Sequence, residues 1–149
     1  MAYTIIEVER RLNIPSRTLR FWASKGLFDT LERDRNSVLY FNQHDLERVI
    51  WIDCLRKSGM SIARIKEYLH TYELGNNKKL LKKRQAMLSS QLEIVREEMK
   101  YLELVIAMLE GKIDFIKEYI RLGKKPQNFK CKGFEEVQKR VNKALRVRE

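Results

Sequence analysis

The stretch Ile14–Phe28, "IPSRTLRFWASKGLF", decides how this chain is read. It holds two arginines, a phenylalanine and a tryptophan in a segment long enough for about three helical turns. Pro15 interrupts what precedes it and Gly26 supplies a stop, so the spacing predicts a short helix over Ser16–Ser24. On that helix Arg17, Arg20, Phe21 and Ser24 fall at i, i+3, i+4 and i+7 and share one side, while Leu19, Trp22 and Ala23 share another. The second side is expected to pack on the helix before it. The first offers guanidinium groups for phosphate or guanine and an aromatic ring for sugar or a thymine methyl. A solvated arginine face, with Phe21 packed on a neighbour, fits the same spacing, and the residues leave the two readings open.

Upstream, "YTIIEVERRLNI" carries Ile5, Val8 and Leu12 at helical spacing, with Thr4 as N-cap and Glu7 three residues on. Two short helices joined by a tight turn are a helix-turn-helix, which is also an ordinary packing unit. Downstream, "LFDTLERDRNSVLYF" places a turn-like "RDRNS" between Leu31 and a β-prone "VLYF", predicting a two-stranded hairpin with Arg33 and Arg35 at its tip. Beside a recognition helix such a hairpin is a wing that straddles phosphates; elsewhere it is a surface turn. Two further helices follow, one from a capping Asn42 to Gly59 and one from Ser61 to Gly75. Their apolar positions Leu46, Ile50, Cys54, Ile62, Ile65 and Leu69 are expected to cover the first pair.

From about residue 77 to 121 the pattern becomes a heptad repeat. Leu88, Leu92, Val95, Met99, Leu102, Ile106, Leu109, Ile113, Ile116 and Ile120 alternate by four and three. They form a single seam on a helix of roughly 65 Å. A small head cannot bury a seam that long, so a partner helix is expected, and with it self-association. The tail opens with the basic linker "LGKKPQNFKCKG". It continues as "FEEVQKRVNKALRVRE", an amphipathic helix with Phe134, Val137, Val141 and Leu145 on one face. Docking on the coil, contact with an acidic partner and a solvated tail all remain open.

Composition bounds the function classes. The 149 residues are 44% hydrophobic and carry a formal charge of +11, which draws polyanions without distinguishing nucleic acid from an anionic membrane surface. That charge is uneven: +2 over residues 1–73, +3 over 74–121 and +6 over 122–149. Two distant cysteines, Cys54 and Cys131, make neither a disulfide framework nor a zinc site. The opening "MAYTIIEVERR" lacks the apolar core of a signal peptide, and no apolar run is long enough to span a bilayer, so a reducing, cytoplasmic setting is expected. His44 and His70 show no nucleophile or carboxylate set, no glycine-rich phosphate cradle occurs, and neither enzyme activity nor a cofactor is expected.

These elements, in this order, resemble the MerR family of bacterial transcription regulators. "YTIIEVERRLNIPSRTLRFWASKGLF" and "YFNQHDLERVIWIDCLRKSGMSIARIKEYL" carry the resemblance over roughly residues 3–72, and it is architectural over 77–121. It implies a mainly α protein. A winged helix-turn-helix head over residues 1–75 would have a small β-hairpin wing. A coiled-coil dimerisation helix would span 76–121, antiparallel to its partner, and a basic tail 122–149. It further implies DNA contacts from Arg17, Thr18, Arg20 and Phe21, with Thr4, Ser16 and Lys25 alongside. Arg33, Arg35 and Tyr40 would belong to the first wing, and Lys57 and Arg64 to a second wing formed by the next helix pair. Two departures stand out. "NSVL" from Asn36 to Leu39 replaces the family's common Asn-Gly-Tyr-Arg, so Leu39 cannot make the arginine's phosphate contact. Pro15 stands where a capping Ser is common, which Ser16 could replace. By resemblance, a dimer on a near-palindromic promoter operator distorts the duplex and realigns it for RNA polymerase.

The 28 residues after Arg121 are expected to be too few for a separate drug-binding domain, and Cys131 alone does not suit a metal sensor. The setting of Cys54, "WIDCLRKSG", and the coil ending "KIDFIKEY" resemble the aldehyde- and electrophile-responsive NmlR/AdhR branch. There a thiolate would be the sensor, with Arg56 and Lys57 near enough in sequence to favour it. A buried cysteine sharing a face with Ile50 is the alternative. Two other function classes remain: a DNA-architectural or recombination accessory protein, and a coiled-coil adaptor whose head binds protein.

Overall fold

The computed structural model describes residues 1–29, 31–127, 129 and 134–146. Its first helix, α1 (Ile5–Leu12), opens on a capping box: Thr4 Oγ1 accepts from the Glu7 amide, and the Glu7 carboxylate accepts from the Thr4 amide at 2.7 Å. Those bonds from Thr4 hold the Glu7 carboxyl below its ordinary value. Asn13 closes the helix in the left-handed region, and α2 (Ser16–Ser24) follows at once. Ser16, which could have capped α2 in place of the residue before it, does not. It is the first helical residue, Pro15 holds the cap position without a side-chain bond, and the Ser16 hydroxyl donates to Glu9 on α1.

The hairpin forms from β2 (Glu32–Arg33) and β3 (Leu39–Phe41), with Arg33 opposite Leu39. A third strand, β1 (Tyr3–Thr4), pairs with the other edge of β3 and gives the order β1-β3-β2, antiparallel throughout. The expected two-stranded wing is therefore part of a three-stranded sheet. Two residues of β1 gain backbone partners only by reaching a strand far along the chain, which no local pattern signals. Phe28 and Phe41 meet edge to face at 5.7 Å, fastening the segment after α2 to the sheet.

α3 (Gln43–Lys57) starts from a second capping box, Asn42 with Asp45, and α4 (Ile62–Glu73) from Ser61. Gly59 and Gly75 follow them with φ of 89° and 112°, a region that costs glycine nothing. Their buried positions correct one expectation. Leu46, Ile65 and Leu69 enter the core and Ile62 packs at its edge, but Ile50 is 54% exposed and Cys54 is exposed. α3 instead buries Leu46, Val49, Ile52 and Leu55. The run "VIWIDCL" is apolar around most of the helix, so two stripes compete, and packing against α4 and the sheet selects one.

Residues 1–92 form one unit and 93–149 a second. The first includes the opening turns of α5 (Lys78–Leu122), whose Met87 and Leu88 pack on the head's core. Leu88 thus serves the head as well as standing at the start of the heptad seam. Arg84, 6% exposed, locks this junction. Its Nε donates to Thr71 Oγ1 at 2.9 Å, Nη1 to Asn76 Oδ1 at 2.8 Å, and Nη2 to the carbonyls of Thr71 and Gly75, while its guanidinium lies 4.0 Å from the Tyr72 ring centre. Gln91 donates to the Ser58 carbonyl at 2.5 Å.

In the second unit α5 presents its heptad positions to solvent. Met99, Leu102, Ile106, Leu109, Ile113, Ile116 and Ile120 are exposed by 47% to 77%, with Val95 half-buried. α6 (Phe134–Arg146) contributes Arg140, whose guanidinium lies 5.4 Å from the Tyr101 ring centre, and Phe129 meets Phe115 at 5.4 Å. The expected apolar face of α6 (Phe134, Val137, Val141, Leu145) and Cys131 lie outside the described side chains. Among the described residues no helix is long and apolar enough to cross a membrane.

The Arg84 node yields a test. Truncation leaves buried carbonyls of the α4–α5 turn without donors, so Arg84→Ala should cost roughly 2–3 kcal/mol, read as a lower urea midpoint at unchanged slope. Arg84→Lys, which lacks the planar fork, should recover less than half of the loss.

Candidate nucleic-acid interface

α2 sorts its residues as the spacing requires. Leu19 is 0% and Trp22 3% exposed, and Ala23 is half-buried, whereas Arg17, Arg20, Phe21, Ser24 and Lys25 all face solvent. Phe21 is 46% exposed, which removes the reading that packs its ring on a neighbour. Lys25 Nζ sits 5.5 Å from the centre of that ring, and Ser24 Oγ donates to the Phe21 carbonyl, so the last turn carries a cation over an open aromatic. Thr18 is half-buried.

The wing is held by Asp34. Its carboxylate accepts from the amides of Asn36 at 2.8 Å and Val38 at 2.9 Å and from the Tyr40 hydroxyl at 3.3 Å. The Val38 amide does most to hold the Asp34 carboxyl below its ordinary value; burial opposes it, and Asn36 and Tyr40 add to it. Asp34's charge in turn raises Tyr40. Ser37 adopts φ 62° to close the turn. Arg33 and Arg35 project from this frame, with Arg33 donating to the Ser37 carbonyl. Leu39 is 6% exposed, so the residue at the departure from the family's wing motif serves the core.

Among the described residues, Arg17, Arg20, Lys25, Arg33 and Arg35 lie within ion-pairing distance of no carboxylate. Some cations elsewhere in the head are paired, Arg48 with Asp29 at 2.6 Å, Lys57 with Asp53 at 2.5 Å and Lys83 with Glu67 at 3.0 Å, while others such as Arg64 and Lys66 also have no carboxylate within ion-pairing distance among the described residues. A polyanion meeting α2 or the wing therefore competes with no internal partner. The remaining candidates are placed less freely. The hydroxyls of Thr4, Ser16 and Tyr40 are engaged by Glu7, Glu9 and Asp34. Lys57 has its ion pair, and Arg64 is exposed on the first turn of α4.

Cys54 is an exposed thiol on α3. The basic residues expected to favour its thiolate are occupied, Lys57 by Asp53 and Arg56 by the Met60 carbonyl at 2.6 Å. His70 Nδ1 lies 2.7 Å from Glu73, a surface pair one helical turn long. No cluster of three metal-ligating side chains occurs among the described residues. Two features escaped the sequence reading. One is strand β1; the other is Arg84, a buried cation within a lysine-rich run.

Known proteins resemble this chain in both sequence and shape. The sequence profile of MerR HTH family regulatory proteins matches residues 3–72. An HTH-type transcriptional regulator from Haemophilus influenzae is 27% identical over 123 residues, covering 83% of this chain and 90% of that protein. The HTH-type transcriptional regulator AdhR of Bacillus subtilis is 25% identical over 72 residues, covering 48% and 51%. Among solved structures, HiNmlR, a MerR family regulator lacking the sensor domain and bound to promoter DNA, superposes with a TM-score of 0.77 at 27% identity, over 83% of this chain and 92% of that one. Residues 3–72 are thus a MerR-type helix-turn-helix head, and the chain as a whole is similar to MerR-family regulators.

Proposed function

We propose that this protein is a homodimeric, cytoplasmic transcription regulator, without catalytic activity, that binds a near-palindromic promoter operator and distorts it. The observation that carries this reading is the division of α2. Leu19 and Trp22 anchor the helix in the core, while Arg17, Arg20 and Phe21 stand outward without acidic partners. HiNmlR, seen on promoter DNA, supplies the analogy for what such a face meets. Arg17, Thr18, Arg20 and Phe21 act at base edges and sugars; Lys25, Arg33 and Arg35 act on phosphates, with Thr4, Ser16, Tyr40, Lys57 and Arg64 in supporting places.

Dimerisation uses the exposed heptad positions of α5. Burying such a seam against a second copy is worth about 25 cal/mol for each Å² of apolar surface, and nothing in the described chain covers it. Two heads on one duplex can then share the cost of bending it, of order 1–6 kcal/mol. RNA polymerase reads the outcome by resemblance to the family. The exposed Cys54 is the place where an electrophile would act, since its thiol is open to solvent and needs no conformational opening.

Three outcomes check this account. Arg20→Ala should weaken operator binding about tenfold or more and lower the salt slope by about one, by fluorescence anisotropy, whereas Glu93→Ala should change neither; equal effects would refute the interface. Ile106→Glu should give a folded monomer in analytical ultracentrifugation, with operator affinity lost; a dimer that persists contradicts the seam. Cys54→Ala should abolish any promoter response to an unsaturated aldehyde while leaving DNA affinity intact, and a variant that responds like the parent rejects the sensor.

A further inference from the structure

α5 carries a second apolar stripe besides the open seam. Tyr101, Leu104, Met108, Gly111 and Phe115 alternate by three and four, as the seam does, and each stands two residues beyond a seam position. Two residues turn about 200° around a helix, so this stripe faces nearly away from the seam. The two stripes differ in exposure. Leu102, Ile106, Leu109 and Ile113 of the seam are exposed by 52% to 60%. Leu104, Met108 and Phe115 are half-buried and Gly111 is buried. A helix standing alone would expose both stripes alike, so the second one is covered.

The tail lies on it. Phe129 meets Phe115 at 5.4 Å, and Phe115 in turn meets Tyr119 at 6.2 Å, both edge to face. The Arg140 guanidinium of α6 lies 5.4 Å from the Tyr101 ring centre, within the reach of a cation–π contact. The later tail residue meets the earlier residue of α5, so the tail runs back along α5 and touches both ends of the stripe. Gly123 reverses the chain at φ 68°, and Pro126 after it is buried, so the turn itself is packed. Arg140 also borders a cavity of about 470 Å³ with Glu93, Glu97 and Glu98. Glu93 and Glu97 are already paired along α5, with Arg96 and Lys100, so the Tyr101 ring rather than a carboxylate is the partner that seats Arg140.

We propose that the tail, anchored through Phe129 and Arg140, is a sheath for the second stripe of α5, and that by closing this stripe it ends self-association at two copies. The proposal rests on the seam being the surface that takes a second copy. A rod with apolar stripes on nearly opposite sides would accept a copy on each and continue to add chains. A segment of the same chain reaches the second stripe at a high effective concentration and outcompetes other copies there. Only the seam then remains open.

Sedimentation velocity on the full chain tests this. The parent should keep the mass of two chains as its concentration rises. Phe129→Ala combined with Arg140→Ala removes both anchors without altering α5, and should add species heavier than two chains that grow with concentration. Phe129→Tyr with Arg140→Lys, which keeps a ring and a cation, should stay with the parent. So should Lys143→Ala, which removes one positive charge from an exposed position of α6. Circular dichroism establishes that each variant keeps its helices. An anchor-free chain that sediments as the parent does overturns the sheath, as does equally heavy association in Lys143→Ala, which would trace the effect to charge alone. Ile106→Glu separates this from the seam. Alone it should give a monomer; with both anchors removed it should associate through the second stripe. A parent that is already monomeric rejects the seam, while the anchor-free chain should still associate; if that chain too stays monomeric, the sheath is rejected.

Discussion

The head depends on how one nine-residue helix is divided between core and solvent. Leu19 and Trp22 of α2 sit among Val8, Phe41, Val49 and Ile65 in a single apolar cluster. Because side chains on a helix are fixed in rotation relative to one another, burying these two aims Arg17, Arg20 and Phe21 outward with no further device. Truncating Trp22 would cost about 3–5 kcal/mol, against a total stability of about 5–15 kcal/mol for a domain. The outward face is therefore secured by a core contact rather than by bonds of its own. This also explains why its arginines need no acidic neighbours to hold them.

The same logic orders the rest of the head. Phe28 on Phe41 mounts the sheet beside the end of α2, Asp34 shapes the wing turn, and Arg84 ties the end of α4 to the start of α5. Each link is a hydrogen-bonded or aromatic fastening of one part of the head to another. The result is an arginine-bearing helix, a wing and the root of a long helix held in one unit. Beyond residue 92 the polar and apolar positions of α5 sort by heptad, and the apolar ones remain open.

Much of this was legible because the chain marks its own boundaries. Thr4 with Glu7, Asn42 with Asp45, and Ser61 announce helix starts, and Gly26, Gly59 and Gly75 announce stops, so α1 to α5 fall within a residue or two of where the spacing puts them. The outward face of α2 was legible for the same reason, since one period separates its two sets of residues. What escaped was decided by contacts distant in sequence. The partner of β1 is β3, the choice between the Val49 and Ile50 faces of α3 is made by tertiary packing, and Arg84 is buried by carbonyls that only the folded turn brings together.

The central claim is that paired heads present α2 to one duplex at a spacing set by their dimer. Hydroxyl-radical footprinting of the full chain on its own promoter tests it most directly. The account predicts two protected patches on one face of the DNA, separated by about one helical turn or a multiple of it, with altered reactivity between them. A single isolated patch, or protection that spreads evenly without periodicity, would contradict it.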